Sequence, residues 1–148
     1  MGQAQADSWA TRAQQVLAEN GHHSGQARGA LLQLLDAQPC ALSAIELEDA
    51  LRATKRPVAR ASIYRILDEL ERLGRVQRVA TGQAMVRYER VHDPEGHHHH
   101  LVCDRCGAVT PFCDERLERA IAQASDRVPL AVSEHEIVLR GHCSDCAA

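Results

Sequence analysis

The sequence has few aromatic residues and no long apolar run. Trp9, Tyr64, Tyr88 and Phe112 are the only aromatic residues among 148, so the 45% apolar content must form a core chiefly from Leu, Val, Ile and Ala. No apolar stretch approaches the roughly 20 residues that span a bilayer, so no membrane association is expected. The polar N-terminus lacks the apolar centre of a secretory signal. These absences predict a cytoplasmic chain, and in a reducing compartment cysteines serve as ligands more often than as disulfides.

Charge is unevenly distributed along the chain. Residues 1–90 contain 12 Lys or Arg and 10 Asp or Glu, whereas residues 91–148 contain 5 and 10, which together give the net charge of −3. Between Asp49 and Asp68 there are five basic residues and no acidic residue. This asymmetry predicts two domains with different partners.

Helical patterns fill the first half of the chain. We predict helices over 9–20, 26–38, 43–53 and 60–73, followed by strands over 76–79 and 85–90. Ser43 and Glu46 have the spacing of a capping box, which predicts a helix start at Ser43. Several helices followed by a two-stranded hairpin is the order of a winged helix-turn-helix, in which the last helix enters the major groove of DNA.

The last predicted helix is the candidate nucleic-acid-binding element. Polar side chains at its start lie mostly off its apolar stripe, and arginine, serine and tyrosine can contact guanine, phosphate and the thymine methyl group. The alternatives are a helical domain with an ordinary solvated basic loop, and a Tyr64 that is partly in the core. The candidate DNA-binding residues are Lys55, Arg56, Arg60, Ser62, Tyr64 and Arg65.

Two Cys-x-x-Cys pairs mark the second half of the chain. Four thiolates in two close pairs form the ligand set of a tetrahedral structural zinc site, here Cys103, Cys106, Cys143 and Cys146. A dithiol redox switch or unrelated core cysteines are the alternatives. Cys40 and Cys113 have no partner at motif spacing, and we interpret them as buried small apolar residues.

Four consecutive histidines precede the first cysteine pair. Side chains alternate along a strand, so His97 and His99 share one face while His98 and His100 share the other. Two separate metal sites are therefore expected, rather than a disordered tract, a tag remnant or solvent-facing side chains. Further ligands must come from elsewhere, and the available candidates are Glu89, His92, Glu118, His135, His22 and His23.

The remaining pattern defines a second domain. Strands over 97–103 and 134–140 with a helix over 114–124 predict a small α/β unit. Pro94, Glu95 and Gly96 interrupt the chain, which places a hinge at 91–96. The expected class is α+β, with a winged helix-turn-helix domain at 1–90 and an α/β domain at 97–148.

The motifs together resemble the ferric uptake regulator (Fur) family of bacterial metal-dependent repressors. The resemblance covers nearly the whole chain and is carried by Ala-Ser-Ile-Tyr-Arg at 61–65, the histidine and cysteine segment at 97–107, and Gly-His-Cys-Ser-Asp-Cys at 141–146. It implies a homodimer that binds operator DNA, with a C-terminal dimerisation domain and a regulatory metal at the hinge.

The resemblance also implies three ligand sets. Structural zinc falls on the four cysteines, the regulatory site on Glu89, His98 and His100, and a further site on His97, His99, Glu118 and His135. The family often has another hinge ligand near the second or third helix, where this chain has Cys40 and Ala41. His22, His23, His92 or Gln77 are then possible substitutes.

The resemblance is strongest to the zinc uptake regulator (Zur) branch. Cys-Asp-Arg-Cys-Gly-Ala-Val followed by Cys113 carries this likeness, and imidazole ligands suit zinc, although they also bind iron and nickel. We therefore expect a repressor of metal uptake genes that senses zinc. Sensing of iron or peroxide, or a zinc-dependent thiol switch, is the alternative. No enzymatic activity is expected, because the four cysteines leave no open zinc position and no Pro precedes Cys103, unlike in zinc deaminases.

Overall fold

The structure is a computed structural model that describes residues 8–82, 85–91 and 97–147. The chain divides into two compact units, Met1–Val91 and His92–Ala148. Within the described residues, no helix is both long and apolar enough to cross a bilayer. The elements in chain order are α1 Trp9–Glu19, α2 Gln26–Ala37, β1 Leu42–Ser43, α3 Ala44–Ala53, α4 Arg60–Arg72, β2 Val76–Val79, β3 Arg87–Arg90, β4 His99–Cys103, β5 Val109–Phe112, α5 Glu115–Ser125 and β6 Val138–Gly141.

Four helices of the first unit pack around one aliphatic core. The apolar stripe of α4 is buried as its spacing predicts, and Ile63, Leu67 and Leu70 have no exposed surface. The predicted capping box is present: Ser43 Oγ accepts from the Glu46 amide, and the Glu46 carboxylate accepts from the Ser43 amide. Trp9 closes the core from α1 and is 7% exposed. The core therefore fixes which face of α4 points outward.

A three-stranded antiparallel sheet completes the first unit. Its order is β1-β3-β2, with Gln77 opposite Glu89 and Leu42 opposite Tyr88. The two-stranded wing predicted from the sequence is present, although β3 begins at Arg87 rather than at Met85. The sequence did not indicate β1, because two residues are too short to show a periodicity.

The second unit is built on a mixed sheet. Its order is β5-β4-β6, with β4 antiparallel to β5 and parallel to β6. Strand β5 was not predicted, because Pro111 within a short run argues against a strand, but β5 lies at an edge where proline is tolerated. Strand β6 begins at Val138, four residues after the predicted start. Helices followed by a wing and then a small α/β unit confirm the predicted α+β class.

Candidate metal centres and nucleic-acid surface

The outer face of α4 presents most of the predicted DNA-binding side chains. Arg60 and Arg65 are exposed, and Ser62 is half-buried. Tyr64 is 43% exposed, so its ring lies outside the buried core rather than partly within it. Since the apolar stripe is held in the core, these side chains form one outward surface.

The loop before α4 adds two exposed cations to the first unit. Lys55 has a positive φ of 57°, which is uncommon for a residue with a side chain. Arg56 donates from Nη1 to Gln33 Oε1 at 2.8 Å, so its guanidinium contacts a residue of α2. Both residues line an open groove of about 610 Å³ that also includes Gln26, Gln33 and Pro57.

The structure brings the four motif cysteines together. Their sulfur atoms all lie within 4.8 Å of one another, and Cys106 Sγ lies 3.8 Å from Cys143 Sγ. A disulfide requires about 2.05 Å, whereas tetrahedral zinc with Zn–S bonds near 2.3 Å separates its sulfurs by about 3.8 Å. Arg105 Nη1 donates to the Cys146 carbonyl at 2.6 Å and ties one knuckle to the other. The cluster therefore fits a four-thiolate metal site.

Backbone groups at this cluster favour a thiolate. The amides of Cys106 and Cys143 donate toward Cys103 and lower the pKa of its thiol to about 6. The neighbouring sulfur of Cys143, followed by burial, raises the pKa of Cys146 to about 12. Four thiols this close cannot all ionise without a counter-charge, and a dication supplies that charge.

A second cluster in the same unit joins β4, α5 and the segment before β6. The ligand atoms of His97, His99, Glu118 and His135 all lie within 4.8 Å of one another. Glu118 connects the set, with Oε1 2.6 Å from His99 Nε2 and Oε2 3.0 Å from His135 Nε2. Nδ1 of His99 accepts from the Ile137 amide at 3.2 Å, which fixes the ring.

Side chains within this cluster shift one another's pKa values. Desolvation would raise the pKa of Glu118, but the hydrogen bond from His99 and the attraction of His135 outweigh it and lower the pKa. Desolvation, together with repulsion from His99 and His135, lowers the pKa of His97 and favours its neutral form. An ionised carboxylate and neutral imidazoles are the states in which these groups bind metals.

The second pair of histidines occupies the opposite face of β4. The rings of His98 and His100 have centroids 5.0 Å apart, and those of His97 and His99 4.7 Å, so the histidines pair as the strand alternation predicts. Nδ1 of His100 lies 3.6 Å from a carboxylate oxygen of Glu136, a neighbour that the sequence did not identify.

Glu89, the other predicted regulatory ligand, belongs to the first unit. It is 3% exposed on β3 and accepts from Gln77 Nε2 at 2.7 Å. A sulfur from elsewhere in that unit approaches it, since Cys40 Sγ lies within 4.8 Å of a Glu89 carboxylate oxygen. Cys40 is buried, as predicted, but it was passed over as a hinge ligand in favour of other residues, because no motif spacing connects it with Glu89.

The suggested substitute ligands have other surroundings. Nδ1 of His22 lies 3.5 Å from Glu69, which Arg28 also contacts at 2.6 Å, and His23 is exposed. Neither histidine joins a cluster of three or more candidate ligands in the part of the chain that the structure describes. His92 lies outside the described residues, as do all hinge positions except Val91.

Known proteins share this combination of sequence and fold. Residues 19–140 match the model of the ferric uptake regulator family. The ferric uptake regulation protein of Neisseria meningitidis is 37% identical over 90 residues, which span 60% of each chain. The zinc uptake regulation protein of Escherichia coli is 28% identical over 135 residues, or 91% of this chain and 79% of that protein.

Solved protein structures also resemble this chain. The Helicobacter pylori ferric uptake regulator has a TM-score of 0.80 at 23% identity, covering 95% of this chain and 93% of that one, and so shows the fold. A zinc uptake regulator complexed with zinc and DNA has a TM-score of 0.55 at 26% identity, covering 98% and 97%. Because the family model spans most of the sequence, the chain belongs to the ferric uptake regulator family.

Proposed function

We propose that this protein is a homodimeric, metal-responsive transcriptional repressor that binds operator DNA and controls genes of metal uptake, with zinc as the metal it senses. Members of its family are transcriptional regulators rather than enzymes. The observation that carries the proposal is the presence, in one chain, of an outward DNA-binding face on α4 and of clustered metal ligands.

DNA recognition is assigned to the outer face of α4. Arg60, Ser62, Tyr64 and Arg65 contact base edges and phosphates, while Lys55 and Arg56 bind the phosphate backbone beside it. The exposure of Tyr64 supports this role, because an exposed ring can reach a thymine methyl group. The similar zinc uptake regulator that was solved with DNA supports duplex DNA as the partner.

Cys103, Cys106, Cys143 and Cys146 are assigned to structural zinc. Their sulfur separations and the thiolate character of Cys103 suit a closed site without an open coordination position. His97, His99, Glu118 and His135 are assigned to a second site in the same unit, where Glu118 already orients two of the imidazoles.

Glu89, His98 and His100 are assigned to the regulatory ion, and we add Cys40 as a fourth ligand. A bound dication supplies the attraction between these groups, so that the reading helices of a dimer are kept at a spacing that suits successive major grooves. A 100-fold preference for that arrangement corresponds to about 2.7 kcal/mol.

Zinc is favoured over iron by the ligand chemistry. Imidazole alone suits iron and nickel as well as zinc, but a thiolate among the ligands favours zinc over a single iron ion. The zinc uptake regulation protein of Escherichia coli is similar along most of this chain. Iron is the alternative, because the relatives also include ferric uptake regulation proteins. A thiol redox switch at the four cysteines is a second alternative.

Apolar surface on the second unit supports the homodimer. No residue of α5 is buried within the chain, although Leu117 and Ile121 lie on one side of it. Leu130 is 71% exposed and Leu139 is 51% exposed. Several large apolar side chains on so small a unit are typical of a protein-binding surface.

A gel-shift assay against a metal series tests the function. Chelated protein is expected to bind a candidate operator weakly, and zinc should restore binding at lower free concentration than iron, manganese or nickel. Arg65→Ala should abolish the shift and leave zinc content and dimer intact. Arg72→Ala is the matched control, because Arg72 lies at the far end of α4. If no divalent ion changes the affinity for any duplex, the proposal is wrong.

Cobalt spectroscopy tests Cys40 as a ligand. With the four-cysteine site filled by zinc, cobalt at the regulatory site should give a sulfur-to-metal charge-transfer band that Cys40→Ser removes and Cys113→Ser keeps. Cobalt d–d bands without charge transfer would leave the regulatory site in place but exclude Cys40 from it.

A further inference from the structure

A carboxylate from α3 already binds the cation at the start of α4. Arg60 is the first residue of α4, and both its Nε and its Nη2 lie 2.6 Å from Glu48 Oε2. The other carboxylate oxygen, Oε1, accepts from Arg52 Nη2 at 3.1 Å. The Glu48 side chain is 14% exposed, whereas those of Arg60 and Arg52 are 52% and 66% exposed. One shielded carboxylate thus binds two outward guanidinium groups.

The position of Arg60 makes this contact relevant to DNA. The N-terminus of a helix carries a partial positive charge, and α4 has neither an acidic residue in its first turn nor a side-chain cap at Ala59. A helix N-terminus with an arginine beside it is a favourable phosphate site. Glu48 therefore supplies, from within the protein, the negative charge that a DNA phosphate would supply from outside.

We propose that Glu48 competes with DNA phosphate for Arg60, and so limits the affinity of the repressor for duplex DNA of any sequence. The proposal rests on the assignment of α4 to DNA binding. Phosphate contacts carry no sequence information, so a carboxylate that weakens one of them lowers non-specific binding without changing how bases are read. Tyr64 and Arg65 lie one turn further along α4 and retain that reading.

The expected effect is measurable with one conservative substitution. Glu48→Gln preserves the shape of the side chain but removes its charge, and it frees Arg60 for a phosphate. Partly exposed ion pairs contribute up to about 1 kcal/mol, which corresponds to about fivefold in affinity. Each added phosphate contact steepens the slope of log affinity against log salt by about 0.9. A purely structural role for Glu48 would not produce that change in slope.

The experiment measures binding of zinc-loaded protein to a 30-base-pair duplex of random sequence by fluorescence anisotropy, from low to physiological salt. Glu48→Gln should bind about fivefold more tightly at low salt, with the steeper slope. The control is Glu19→Gln on α1, which makes the same change in net charge at a carboxylate whose partner is Gln15 rather than an arginine. It should bind like the unmodified protein.

A double substitution separates Arg60 from other sources of the gain. In the Arg60→Gln background the further change Glu48→Gln should have no effect, because Arg60 is absent and the other partner of Glu48, Arg52, keeps Asp49 as a carboxylate neighbour at 3.6 Å. A gain that persists there, equal behaviour of Glu48→Gln and Glu19→Gln, or weaker binding by Glu48→Gln would each overturn the inference. If the unmodified protein binds no duplex, the proposed function also fails, whereas normal binding with an inert Glu48→Gln refutes this inference alone.

Discussion

Cys103→Ser should unfold the second unit while the first unit stays folded. Among the described residues of the second unit, Val102 and Cys103 are the only buried apolar side chains, at 3% and 5% exposed. Burying one such side chain contributes about 1.5–3 kcal/mol. A structural zinc site contributes about 10–16 kcal/mol, as much as the entire stability of many domains. If zinc binds the four-cysteine cluster as proposed, it therefore provides most of the stability of this unit.

Hydrogen exchange with mass spectrometry measures each unit separately. Relative to the zinc-loaded unmodified protein, exchange across β4 and β6 of Cys103→Ser should accelerate about 100-fold or more, since a loss of only 2.7 kcal/mol suffices for that factor. Exchange in α2 and α4 should not change, because the aliphatic core of the first unit is independent of the cysteines.

Cys113→Ser is the matched control. The prediction that Cys113 is buried was wrong, because Cys113 is exposed and lies outside the cluster. Its replacement should therefore leave both exchange and zinc content unchanged. Retained protection of β4 in Cys103→Ser that contains no zinc would refute the reasoning, because packing alone would then hold the unit together.

Three further predictions concern other parts of the chain. Hydrogen bonds from Ser43 and attraction to Arg87 outweigh desolvation and lower the pKa of Glu46. The contribution of Glu46 to stability is therefore present above pH 4.5 and declines below it. Glu46→Gln should make that decline less steep in urea unfolding followed by the fluorescence of Trp9. Glu118→Gln should remove one bound metal per chain by elemental analysis and leave the structural zinc. An unchanged metal content would show that Glu118 binds no metal. Leu130→Asp should shift the protein from dimer to monomer in sedimentation, and an unchanged dimer would place the interface elsewhere.

Local patterns predicted most of the fold. The capping box at Ser43, the apolar stripe of α4 and the alternation of the histidines each depend on residues within a few positions of one another, and all three are present. Strand β5 was missed because Pro111 is compatible with a strand only at an edge, and whether a strand is an edge depends on the order of the whole sheet.

Contacts between distant positions explain what the sequence did not reveal at the sites. The spacing of the cysteine pairs indicated their cluster because each knuckle is local. The approach of Cys40 to Glu89, and the pair of Glu48 with Arg60, join residues on different elements. No periodicity records such an approach, so these neighbours required the tertiary structure.

The left-handed backbone of Lys55 sets the stability of its turn against the positive charge that the turn carries. Glycine is the residue that adopts φ near 57° without steric cost, and a residue with a side chain loses roughly 1–2 kcal/mol there. A lysine at such a position lowers the thermal stability of the protein but places an ammonium group on its surface. Lys55→Gly should therefore raise the melting temperature and weaken DNA binding at the same time, so that a selection for heat resistance alone would tend to discard this cation.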